Sequence, residues 1–160
     1  MGVAFVKLTT RGRYAVTAML DLALHAEAGP VSLADVADRQ SISLAYLEQL
    51  FACLRRAELV QSIRGPGGGY RLTKESEAVS VADIIDSVDE GVDATRCGGS
   101  GDCHDGDMCL THELWTDLSE QIHEFLGGIS LAQMAARQGV RLVADRQQQA
   151  VTHRIPAQAL

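Results

Sequence analysis

Four residues inside a 16-residue window carry the densest chemistry in this chain: Cys97, Cys103, Cys109 and His112, spaced C-x5-C-x5-C-x2-H. Thiolate sulfur and imidazole nitrogen are ligands for zinc and for iron–sulfur clusters alike. Cys109-Leu110-Thr111-His112 stands where a helical pattern begins. An i, i+3 pair on a helix shares one face, so both side chains reach one centre. Structural zinc accepts three cysteines and a histidine, but usually through tighter C-x2–4-C pairs. Disulfides are disfavoured in a reducing compartment. A cluster is a larger object, and five-residue gaps suit it. On spacing alone the cluster and zinc readings both stay open. His104 adjoins Cys103 and is the weaker candidate for a ligand, because its neighbour already takes that place. Cys53 lies 44 residues upstream of Cys97 and reads as a small, semi-buried residue. His25 and His123 fall within helical patterns and read as surface or packing residues.

A second constellation faces a different kind of partner. Arg64-Gly65-Pro66-Gly67-Gly68-Gly69-Tyr70 puts an arginine at the base of a loop with almost no side chains. Such a loop approaches a DNA duplex closely, and the arginine enters the minor groove or grips the backbone. No Gly-Lys-Ser/Thr follows, so this is not a nucleotide-binding P-loop. Upstream, Leu44, Leu47, Leu50, Phe51 and Leu54 form an apolar stripe, leaving Ala45, Gln49, Ala52 and Arg56 on the opposite face and Tyr46 and Glu48 on the flanks. A helix of this kind offers Ser43, Ala45, Tyr46, Glu48 and Gln49 to base edges. Gln49 pairs bidentately with adenine, Glu48 accepts from cytosine, and Arg55 and Arg56 suit phosphates.

The elements that must position these groups are legible in order. A helix runs from about Thr10 to Ala28, with Ala15, Ala18, Met19, Leu22 and Ala26 at helical spacing and Gly29-Pro30 ending it. Ser32 opens a short second helix to about Gln40, in a capping-box-like Ser-Leu-Ala-Asp. After Ser41-Ile42, Ser43 caps a third, through about Ala57. Val60–Arg64 and Tyr70–Thr73 predict two short strands flanking the glycine loop. Three helices and a hairpin in this order make a winged helix-turn-helix. A fourth helix spans Val81 to about Glu90, a Gly/Asp-rich loop follows to Met108, and a fifth covers about Thr111 to Leu126. That fifth helix carries Leu114, Leu118, Ile122 and Leu126 every four residues, joined by Trp115 and Phe125. Ser130 begins one or two more helical turns. From about Val140 the chain is Gln/Arg-rich and is expected to be disordered.

The expected fold class is therefore mainly α with a small β-hairpin wing. The domains are a winged helix-turn-helix over 7–75, a cluster loop with dimerisation helices over 76–138, and a disordered tail over 139–160.

Composition bounds the function. The 160 residues are 46% hydrophobic, enough for one compact domain with an appended element. No apolar run is long enough to span a bilayer and the N-terminus lacks a signal-peptide core, so a cytoplasmic protein with no membrane partner is expected. The net charge of −7 looks wrong for a DNA-binding protein until it is divided. Residues 1–75 carry +2, 76–127 carry −12 and 128–160 carry +3, so the acidity sits away from the helix-turn-helix. An electron-transfer protein is the rival class, but it leaves the wing and third helix without a purpose. An enzyme is not expected.

Several runs together resemble the IscR family of winged helix-turn-helix iron–sulfur regulators. They are Leu8 to Asp21, Tyr46 to Phe51, the wing Arg64 to Tyr70, Val88-Asp89-Glu90, Asp93 to Cys97, and Cys109-Leu110-Thr111-His112 followed by Leu114-Trp115. The resemblance covers about residues 7–138. It implies a homodimer holding a 2Fe–2S cluster on Cys97, Cys103, Cys109 and His112, with cluster-assembly scaffold proteins as donors. It implies a sensor of cluster supply: the holo form represses the assembly operon, and the apo form binds a second class of promoter. It places Tyr46, Gln49, Arg64 and Pro66 at the DNA, with Glu48 discriminating between the two classes; Ser43 and Arg56 join the expected DNA-binding set from their positions on the third helix. A zinc-stabilised regulator and a nitric-oxide-sensing sibling are the alternatives, and the sibling is expected to lack the Leu-Thr-His-x-Leu-Trp continuation. The chain departs from the family at Ala45, where serine is common, and at Cys53, which is not a family ligand.

Overall fold

Thr9 starts the first helix by accepting the Gly12 amide on its hydroxyl at 3.3 Å, and α1 then runs Thr10–Leu24. The structure, a computed structural model, describes residues 8–88 and 91–154; Lys7, Asp89, Glu90 and residues 155–160, which carry part of the resemblance and of the expected tail, lie outside the described residues. Ala15, Ala18, Met19 and Leu22 of the expected stripe are buried, whereas Ala26 sits exposed in a separate 3-10 turn, Ala26–Ala28. Ser32 and Ser43 each accept an amide three residues on, capping α2 (Leu33–Gln40) and α3 (Leu44–Arg56). Strands β1 (Val60–Ile63) and β2 (Gly69–Leu72) pair antiparallel, with Val60 opposite Leu72 and Ile63 opposite Gly69. This is the winged helix-turn-helix the pattern predicts.

Two features hold the wing and α2 in place that no periodicity announces. Val31 bonds Tyr70 in both directions, amide to carbonyl at 2.9 Å and the reverse at 2.7 Å, adding a third edge to the hairpin. Gly69 makes that approach feasible, since a Cβ there would stand 2.4 Å from the Val31 carbonyl oxygen. Beneath, Asp21 is 1% exposed on α1 and accepts a bidentate fork from Arg39 of α2, at 3.0 and 2.7 Å, plus the Gln40 amide at 2.8 Å. A buried carboxylate requires this degree of pairing.

Leu47, Leu50, Phe51 and Leu54 of α3 meet α1, Val36 and Ile84 in one core, and full burial of each large apolar side chain is worth about 1.5–3 kcal/mol. Ser80 forms a full capping box with Asp83 and opens α4 (Val81–Ser87); α5 (His112–Gly127) and α6 (Leu131–Ala136) follow. Leu131 is fully buried against the core. By contrast, no residue of α5 is buried among the described residues, and Leu114 and Phe125 are 57% and 67% exposed.

The C-terminal segment differs from expectation. Residues 138–154 form a helix, α7 (Gln138–Arg154), rather than a disordered stretch. Gln, Arg and Ala are good helix formers, and Gln147 docks the helix on α2 by exchanging amide hydrogen bonds with Gln40 at 2.9 and 3.1 Å. Polar composition hides such packing. Among the described residues, no helix is long and apolar enough to cross a membrane.

Candidate metal centre and nucleic-acid interface

The Gly/Asp-rich loop folds back so that three donors converge. Cys97 Sγ and Cys103 Sγ lie 3.5 and 3.6 Å from His112 Nδ1, and the ligand atoms of Cys97, Cys103 and His112 all fall within 4.8 Å of one another. Cys109 is adjacent but outside that group: its amide donates to Cys103 Sγ at 3.0 Å, while its own sulfur lies 3.8 Å from Thr111 Oγ1. His104 forms a backbone bridge with Asp107 and lines the neighbouring cavity, but it is not among the three grouped donors. Beside the donors opens a cavity of about 390 Å³, lined by Ala94, Thr95, Cys103, Cys109, His112 and Trp115.

The loop tunes the sulfurs before anything binds. The Gly101 amide, presented by a left-handed φ of 82°, together with Gly99 and Thr95, pulls the Cys97 thiol down to about 6. Cys109 is lowered too, by its hydrogen bond with Cys103 and by the Thr111 amide. The Cys109 amide favours the Cys103 thiolate, but the neighbouring thiols and burial carry Cys103 upward overall. One sulfur is thus poised as a thiolate beside an imidazole. Three thiols, one imidazole and an adjacent cavity are a donor set that fits a metal ion or an iron–sulfur cluster.

Sequence reasoning missed the supports of this site. Thr111 precedes α5 but makes no cap bond; its hydroxyl accepts the Trp115 indole N–H at 3.0 Å and abuts Cys109. Thr95 Oγ1 accepts the Gly99 amide at 2.8 Å and fixes the loop after Cys97. A threonine beside a ligand looks like any helix or turn residue in sequence, so no signal marked either one.

In the helix-turn-helix, Ala45, Glu48 and Gln49 are exposed along α3, and Arg64 and Pro66 are exposed on the wing. Ser43 is exposed and occupied as the cap of α3. Tyr46 is half-buried, its ring edge-on to Tyr14 at 5.8 Å. Arg56 is exposed, with Nη2 3.1 Å from Cys53 Sγ. Cys53 itself is 5% exposed, as a packing residue would be.

Comparison with known proteins joins the two regions. The model of the Rrf2 family, described as an iron-dependent transcriptional regulator, matches residues 8–137. The chain is 65% identical over 136 residues to the HTH-type transcriptional regulator ORF2 of Azotobacter vinelandii, covering 85% of this chain and 83% of that one. It is 60% identical over 142 residues to the HTH-type transcriptional regulator IscR of Xenorhabdus nematophila, covering 89% and 87%. Among solved structures, T. potens IscR matches with a TM-score of 0.67 at 43% identity, covering 83% and 88% of the two chains. CymR (YrzC), the global cysteine regulator of B. subtilis, matches with a TM-score of 0.70 at 34% identity, covering 82% and 98%.

Proposed function

This chain belongs to the Rrf2 family of iron-dependent transcriptional regulators, and from that membership we propose that it senses cluster supply through a 2Fe–2S cluster on Cys97, Cys103, Cys109 and His112. It is a DNA-binding regulator of transcription and not an enzyme. The convergence of the Cys97 and Cys103 sulfurs on His112 Nδ1 carries the reading. When bound, the cluster would supply a redox-active centre that is readily lost.

The chain's own residues do the coupling. Imidazole in place of a fourth thiolate removes one negative charge from the ligand set, while Asp93, Asp102, Asp105 and Asp107 add negative charge around it. Ligation orders residues 91–112 and fixes the start of α5. The uncovered apolar face of α5 is assigned to a second copy of the chain, and the homodimer sets the spacing of two recognition helices on DNA. Ser43, Tyr46, Glu48, Gln49 and Arg56 then meet one groove and its borders, with Arg64 and Pro66 on the wing beside them. The reading includes a cytoplasmic location, where promoters are, and scaffold proteins as cluster donors.

A zinc-stabilised regulator is the second reading, favoured by one observation: the three-donor group without Cys109 suits a single ion equally well. Anaerobic purification separates the two. Brown protein with iron and acid-labile sulfide, and different footprints for holo and apo forms, is the expected result. Colourless protein with stoichiometric zinc overturns the cluster.

A further inference from the structure

Two cations end on one sulfur in this molecule. Arg11 Nη2 of α1 and Arg56 Nη2 of α3 donate to Cys53 Sγ at 3.2 and 3.1 Å. A neutral thiol is a weak acceptor and neutralises neither guanidinium. Arg11 Nε is buried and has no hydrogen-bond partner, and no carboxylate pairs with either arginine among the described residues. Partly buried positive charge left this way calls for an anion. Arg56 is exposed, so the fork opens to solvent on that side.

Its place on the fold says which anion. Arg56 follows Gln49 by seven residues, two helical turns within about 20°, so both lie on one face of α3 about 10 Å apart along the axis. The major groove is about 12 Å wide, so a helix reading bases near Gln49 carries Arg56 toward the backbone that borders the groove. We propose that Arg11 and Arg56 form a single fork for one DNA backbone phosphate, with the Cys53 thiol holding the two guanidiniums convergent in the free protein. Arg11, 38 residues before Gln49 in the chain, is thereby a DNA-contacting residue contributed by α1. The inference rests on α3 being the recognition helix.

A phosphate contact is blind to sequence, so no operator is needed to test it. Binding of the full chain to a fluorescent random duplex of about 30 base pairs is measured across a potassium chloride series, for wild type, Arg11→Gln, Arg56→Gln and the double variant. Each phosphate neutralised contributes about 0.9 to the slope of log affinity against log salt. The dimer carries one fork per protomer, so a shared fork predicts that the double variant loses about 1.8, two phosphates at about 0.9 each. Its disadvantage against wild type then shrinks about twelvefold between 50 and 200 mM salt. An unchanged slope means that neither arginine touches DNA, and a loss near twice that value means two independent contacts; either overturns the fork. If Arg11→Gln does not fold, Arg11→Met keeps the buried stem and takes its place in the same comparison. Wild type that binds no duplex refutes the recognition-helix reading itself, which is a separate failure.

Discussion

The ring of Phe51, on α3, meets the ring of Tyr70, on the wing, edge-on with centroids 4.9 Å apart. Phe51 is fully buried, and Tyr70 is the residue that also bonds Val31, so one aromatic contact ties helix, wing and the strand edge before α2 together. Phe51→Ala is expected to cost about 3–5 kcal/mol. Thermal melting reads this as a drop of about 6–20 °C. Tyr70→Phe keeps the ring and is expected to melt within a degree or two of wild type. A small effect of Phe51→Ala would mean that the wing is held by its backbone bonds alone.

Asp21 and Arg39 make the second joint. Because the carboxylate is buried, removing its partner strands a charge: Arg39→Met is expected to lose about 3–5 kcal/mol, measured by urea unfolding. Asp21→Leu/Arg39→Met removes both charges and is expected to regain most of that. A double variant as unstable as the single one would assign the loss to packing rather than to the stranded charge.

The order of elements was legible because helix caps and apolar spacing agree: Ser32, Ser43, Ser80 and Ser130 each accept an amide three residues on, at the helix starts their positions suggest. What stayed hidden was tertiary. Asp21 looks like a surface residue within an apolar stripe until Arg39 and Gln40 reach it. The helix over 138–154 is stabilised by Gln40–Gln147, a contact that a polar sequence does not advertise. At the candidate metal centre, the potential donor types were legible from spacing. The grouping of Cys97, Cys103 and His112 apart from Cys109 was not, because a glycine loop has no period to read.

That grouping makes the ligands separable. Cys97→Ala, Cys103→Ala and His112→Ala are each expected to abolish iron and labile sulfide while leaving folding and dimerisation intact. Cys109→Ala is expected to abolish the cluster yet retain a cobalt(II) thiolate absorption band, since the other three donors are already assembled. Loss of cobalt binding in Cys109→Ala alone would show that the fourth sulfur is needed for any metal.

The face of α5 gives a prediction on assembly. Burying Leu114 and Phe125 against a second copy removes large apolar side chains from water, at about 25 cal/mol per Å². Phe125→Glu places a charge in that contact and is expected to shift sedimentation from dimer to monomer. A dimer that persists unchanged would locate the interface elsewhere.

His123 of α5 and Asp86 of α4 set the pH response of the same helix. Their side chains meet at 2.9 Å, and the hydrogen bond and charge of Asp86, with Asp83 nearby, raise the His123 pKa above 6.5. A raised folded-state value means that the pair's stabilisation is fully present below the unfolded pKa. It fades as pH rises through the folded one. Both side chains are about half exposed, so solvent screening holds the effect below about 1 kcal/mol. Asp86→Asn is therefore expected to lower stability slightly at pH 5.5 and not at pH 8.5, and to move the His123 imidazole titration in NMR back toward its ordinary value. A titration unmoved by Asp86→Asn would mean that α4 and α5 are not joined through this pair.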